Sequence, residues 1–76
     1  MDTCTAVKNR ILVLLEQKRL SIHKLAIKSG VSPSTIKSIL YGNSQNPGIV
    51  TIRMLCYGFE ISLQEFFEVD DFKDVE

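Results

Sequence analysis

The sequence has no hydrophobic run long enough to cross a membrane. Its longest apolar stretch is the five residues Ile11 to Leu15, and a spanning helix needs about 20. Cysteine is scarce: Cys4 and Cys56 lie far apart, with neither a CxxC pair nor metal-ligand spacing. Both read as small apolar residues of a reducing compartment, Cys56 in the core and Cys4 near the N-terminus. The single histidine, His23, has no cysteine or carboxylate at ligand spacing, so it reads as a surface residue. There is no Cys–His pair, Ser–His–Asp set, HExxH or phosphate-cradling glycine motif. A chain of 76 residues also leaves little room for a substrate pocket. These absences argue against an enzyme, a cofactor, a metal and a small-molecule substrate. The opening residues, Met1-Asp2-Thr3-Cys4, lack the charged and apolar regions of a secretory signal, and the expected location is cytoplasmic.

What is present fits one modest core. Hydrophobic residues make up 45% of the chain, too many for a disordered segment and enough for a small globular domain. The formal net charge is zero, but it is unevenly spread. Residues 1–58 carry eight bases against two acids, a net +6, and residues 59–76 carry seven acids against Lys73, a net −6. A basic body with an acidic end suits a surface that meets phosphate on one side. An ordinary solvated surface is the plainer alternative.

The apolar spacing is helical throughout, and no alternation is long enough for a sheet. A first helix over about Thr5 to Arg19 places Val7, Ile11, Leu14 and Leu15 on one side, with Thr3 or Thr5 as its cap. A second opens at the N-cap Ser21, turns Ile22, Leu25 and Ala26 inward, and stops at Gly30, a residue suited to positive φ. Ser32-Pro33 then reads as N-cap and first helical residue, since proline lacks the amide hydrogen that this position leaves unpaired. The third helix, Pro33 to Tyr41, buries Ile36, Ile39 and Leu40 and ends at Gly42. A polar loop leads to a fourth helix, about Ile49 to Phe59, with Ile49, Ile52, Leu55, Cys56 and Phe59 facing inward. Ser62 caps a short fifth helix that directs Phe66 into the core. The expected fold is all-α, five compact helices over residues 1–69, with 70–76 a loose acidic tail. Phe67 and Phe72 read either as an exposed dimer patch or as cover for the core edge.

The spacing Leu25-Ala26, Gly30-Val31, Ile36 and Ile39 has a mechanical meaning. Ala26 allows close approach of two helix backbones, Gly30 reverses the chain without a Cβ clash, and Val31 plugs the turn into the core. Ser34, Thr35, Lys37, Ser38 and Tyr41 are left to face outward on the third helix.

With these residues in place, the chain resembles the lambda-repressor/Cro-like (Xre-type) helix-turn-helix family from about Arg10 to Phe67. The resemblance is carried by Ser21-Ile22-His23-Lys24-Leu25-Ala26, Gly30-Val31-Ser32-Pro33-Ser34-Thr35-Ile36, Gly42, and Asn46-Pro47. It continues through Ile52, Leu55, Cys56 and Phe59 and closes on Ile61-Ser62-Leu63-Gln64-Glu65-Phe66-Phe67. It implies a DNA-binding transcriptional regulator, a repressor, whose third helix enters the major groove of a palindromic operator as half of a homodimer. The base-reading positions would be Pro33, Ser34, Thr35, Lys37 and Ser38. Lys37 can donate to guanine, while hydroxyls can donate or accept to several bases, so modest discrimination is expected. Phosphate contacts would come from the helix start at Ser21 and Ile22 and from Asn43, Ser44 and Asn46.

Three departures from the family pattern stand out. Many relatives have a polar residue at Ile22. Some have an Arg–Glu ion pair where Leu15 and Leu40 stand, so these two leucines are expected to touch. The family commonly has glycine at Glu60, which ends the fourth helix. A different class of function, a protein-interaction module such as an antitoxin or adaptor with weak DNA binding, would use the acidic end and the paired phenylalanines.

Overall fold

The computed structural model describes residues 2–42 and 46–73. Five α-helices follow one another: α1 (Thr3–Lys18), α2 (Ile22–Ser29), α3 (Pro33–Tyr41), α4 (Ile49–Phe59) and α5 (Leu63–Phe67). A 3-10 turn, Asp70–Phe72, closes the described chain. There is no strand among the described residues. The all-α expectation holds.

Local chemistry explains most boundaries. α1 starts two residues earlier than the spacing suggests, because its cap is Asp2 rather than Thr3 or Thr5. The Thr5 N–H donates to the Asp2 carboxylate at 2.8 Å, which ties up one of the helix's unpaired amides. Ser21, Ser32 and Ser62 cap α2, α3 and α5 in the same way. Gly30 takes the left-handed conformation at φ 77°, but Gly42 is extended at φ −101° and ends α3 by another geometry.

Two helices end in left-handed residues that are not glycine: Arg19 after α1 and Glu60 after α4, at φ 55° and 62°. Their surroundings match. The Arg19 N–H donates to Glu16 and the Leu20 N–H to Leu15, while the Glu60 N–H donates to Tyr57 and the Ile61 N–H to Cys56. In each case the next residue, Leu20 or Ile61, packs on the core. Two carbonyls satisfied and one apolar side chain buried offset the left-handed penalty that glycine would avoid. So Glu60 ends α4 in the left-handed conformation that glycine adopts most easily.

The core takes Val7, Ile11 and Leu14 from α1, Leu25 and Ala26 from α2, and Val31 from the turn. Ile36, Ile39 and Leu40 come from α3, Ile52, Leu55, Cys56 and Phe59 from α4, and Phe66 from α5. Leu40 is buried, and Leu15 is half-buried against this cluster. Ile49 departs from the expected inward face of α4. It is 58% exposed, because the first turn of the helix projects beyond the core.

The C-terminal region is tighter than a loose end beginning at residue 70. Asp70–Phe72 packs on α1, and Phe72 stacks edge-on against Phe67 with centroids 4.9 Å apart. Phe67 in turn meets Phe66 edge-on at 4.9 Å. Arg10 secures this corner from α1: its guanidinium donates to the Phe66 carbonyl at 2.7 Å and to the Glu65 carbonyl at 3.0 Å. It also lies 5.9 Å from the Phe66 ring centroid, a cation–π distance. Phe67 and Phe72 are therefore half-buried in an aromatic cluster of their own chain, so of the two readings the cover for the core edge holds and the exposed patch does not. Edge-to-face aromatic contact and the Arg10 latch supply the reason.

Candidate nucleic-acid interface

α2, the turn and α3 form a unit anchored from behind. The Val31 side chain is buried, and its N–H donates to the Ser29 hydroxyl at 3.2 Å. This satisfies Ser29, the buried polar side chain of the described core. Behind Ser29 stands Gly58 of α4. A Cβ built on Gly58 would lie 2.8 Å from Ser29 Cβ and 3.0 Å from Leu25 Cδ1. The backbones of α2 and α4 can meet this closely because Gly58 has no side chain. Nothing in the helical spacing singles out Gly58, the penultimate residue of α4, where glycine is less favourable than alanine. That disfavour was the available signal.

Held this way, α3 turns Ile36, Ile39 and Leu40 inward and Pro33, Ser34, Thr35 and Lys37 outward. Ser38 is half-buried and less accessible than the other four. Tyr41, 69% exposed, extends the same outward side. The first turn of α3 carries a hydroxyl cluster. The Ser32 hydroxyl accepts the Thr35 N–H at 3.2 Å, donates to the Thr35 hydroxyl at 2.9 Å, and lies 3.3 Å from the Ser34 hydroxyl.

At the start of α2 the Ser21 hydroxyl accepts the Lys24 N–H at 3.0 Å. Ile22 packs against the core, so it can offer a phosphate only its backbone N–H. This accounts for an apolar residue at this position. Asn46 is exposed, while Asn43 and Ser44 lie outside the described residues.

The electrostatics are one-sided. Between Glu16 and Glu60 the sequence has no acidic residue at all. Neither α2 nor α3 has an acid in its first turn, so nothing on the helix itself offsets the positive ends of their dipoles. Lys28 is not a free base. It pairs with Glu60 at 2.9 Å and holds that carboxyl below its ordinary range, chiefly through the hydrogen bond it donates. Lys24 and Lys37 are exposed.

A family model for the Cro/C1-type HTH DNA-binding domain matches residues 10–71. The chain belongs to this family. A solved structure described as the prophage Lp1 protein 11 is 32% identical, with a TM-score of 0.82; the match covers 99% of this chain and 100% of that one. No curated protein sequence matches it significantly. As a Cro/C1-type domain the chain presents α2 and α3 as its helix-turn-helix, and DNA is its partner class. Among the described residues no helix is long and apolar enough to cross a membrane, and no cluster of His, Cys, Asp or Glu could hold a metal. Burial pushes the Cys56 thiol up, which keeps it protonated and a poor nucleophile.

Proposed function

We propose that this Cro/C1-type domain is a sequence-specific transcriptional regulator that represses by occupying a promoter. α3 enters the major groove of a two-fold operator, and a second copy reads the other half-site. The observation that carries this reading is the outer face of α3. Exposed hydroxyls and one lysine stand on a helix whose opposite face is locked into the core, within a stretch free of acids.

In this reading Pro33, Ser34, Thr35, Lys37 and Ser38 meet base edges, with Lys37 donating to guanine O6 or N7. Ser21, Ile22, Asn43, Ser44 and Asn46 grip phosphates and set the register. The backbone amides opening α2 are favoured by the helix dipole. Homodimerisation draws support from α4, where Val50 and Tyr57 are 69% and 78% exposed beside the partly exposed Met54. Apolar side chains grouped this way commonly mark a contact surface. The same stripe is what an interaction module such as an antitoxin or adaptor would use.

Selection from a random-site DNA library, followed by a salt titration, tests the proposal. A regulator enriches a two-fold motif and loses affinity with salt at a log–log slope of about −0.9 per phosphate contact. If no motif enriches and binding stays weaker than ~10⁻⁶ M, the range of nonspecific association, the interaction-module reading replaces it. Combining Lys37→Ala with Ser34→Ala should reduce sequence preference more than nonspecific affinity. Equal losses would show that neither side chain reads bases.

A further inference from the structure

The two ends of α3 differ in charge. Its first turn has the positive end of the helix dipole and no acid. Its last turn has the negative end and no base to offset it. Where α3 sets its first turn against base edges, Tyr41 lies about 10 Å further along the axis than Ser34, at ~1.5 Å per residue. In a groove ~12 Å wide, that distance brings Tyr41 to the wall, where the phosphates stand. The end of α3 least suited to an anion is then the end that comes close to one.

A cation from α1 meets this need. Lys8 and Tyr41 line one cleft of about 150 Å³ between the first half of α1 and the end of α3, bounded by Gly42 and Pro47. Lys8 is half-buried, yet its ammonium makes no ion pair or hydrogen bond among the described residues. No acid lines the cleft, and residues 43–45 contain none. Arg10 and Lys28, by contrast, are committed to α5 carbonyls and to Glu60. Tyr41 is exposed, and its hydroxyl has no partner among the described residues and can donate to a phosphate oxygen. Partial burial strengthens the pull of Lys8 on an anion, because less water screens it.

We infer that Lys8 and Tyr41 form a further phosphate grip, in which the ammonium and the phenol hydroxyl hold one backbone phosphate beside the end of α3. This rests on the proposal that α3 enters the major groove. The amides opening α2 and the Lys8–Tyr41 cleft then fix the domain at two separate places on the duplex. Neither contact reads a base.

Salt titrations of DNA affinity test it. Lys8→Gln removes the charge and should lower the log–log slope by about 0.9. Its affinity deficit should therefore shrink about 3.5-fold over a fourfold rise in salt. Lys8→Arg restores the charge and should restore the slope. Lys73→Gln, at a lysine paired with Asp70, controls for net charge and should leave the slope unchanged. Tyr41→Phe removes a neutral donor, so affinity should fall while the slope stays. Replacing phosphates one at a time by methylphosphonate should reveal a position in each half-site where the parent loses affinity and Lys8→Gln loses no more. The motif selected from random sites should be the same for every variant, since these contacts carry no sequence information. A thermal melt of each variant confirms folding. If folded Lys8→Gln keeps the parent's slope, if Lys73→Gln lowers it as much, or if Lys8→Gln changes the motif, the inference is overturned. A parent that enriches no motif overturns the base-reading proposal itself, and the slopes on nonspecific duplex then decide the Lys8 inference separately.

Discussion

The seam between α2 and α4 and the outer face of α3 belong to one small domain but obey different constraints. At the seam, Ser29, Leu25 and Gly58 are buried, and a single added carbon at Gly58 would fall 2.8 Å from its neighbour. On α3, Ser34, Thr35 and Lys37 are exposed and make no buried contact. The first region determines where α3 stands. The second faces outward, and its side chains can change while the fold stays. Stability and specificity should therefore separate by position.

The largest effect should come from the buried side. Leu40, 1% exposed on the inner face of α3, should cost about 2–5 kcal/mol when cut to alanine, read from the denaturant midpoint. A loss below ~1 kcal/mol would mean that the helix is not anchored by that residue. Gly58→Ala comes next. Overpacking against Ser29 and Leu25 should cost about 1–3 kcal/mol in the same measurement and loosen the seat of α2. A neutral result would show that the two helices can part without consequence. On the outer face, Ser34→Ala and Lys37→Ala should leave stability within about 0.5 kcal/mol. If either lowers stability as much as Gly58→Ala does, the distinction between the two regions fails.

The smallest effect is acid sensitivity at the ends of α1 and α4. Asp2 is held below its ordinary pKa mainly by the Thr5 N–H, and Glu60 mainly by the hydrogen bond from Lys28. A carboxyl with a lowered folded pKa contributes stability above its unfolded value and loses it as pH falls through the folded value. Stability should thus decline from the ordinary carboxylate range downward. Glu60→Gln should flatten part of that decline in an acid titration followed by circular dichroism, and an unchanged slope would show that the Lys28 pair contributes nothing measurable.

Much of the scaffold was legible residue by residue. Ser21, Ser32 and Ser62 announce helix starts because a short hydroxyl side chain satisfies a free amide from within its own turn. Ile36, Ile39 and Leu40 announce a buried face because helical periodicity repeats in sequence. Ile49 is exposed although it shares the inward face, because periodicity says which residues share a face but not how far the core extends along it. Local spacing gives Phe72 no partner to pack on, because Phe66 and Phe67 belong to a corner assembled by Arg10 from the far end of the chain.

At the candidate site, the sequence supplied the outward residues of α3 but not the hydrogen bonds that join Ser32, Ser34 and Thr35. These depend on distances between side chains, and no spacing rule contains those. The basic residues show the same limit. Eight bases stand in residues 1–58, but Arg10 is spent on carbonyls of α5 and Lys28 on Glu60.

By itself the sequence determined five helices, the serine caps of α2, α3 and α5, the turn at Gly30 and most of the outward residues of α3. All of these follow from interactions between residues a few positions apart. Only the tertiary structure decided that α2 rests on α4 through Gly58, that Arg19 and Glu60 can end helices without glycine, and that Phe72 joins the fold. Each of these depends on which distant segment lies opposite and how near it comes. Close packing makes that distance decisive, since a methyl group's width separates a contact from a clash.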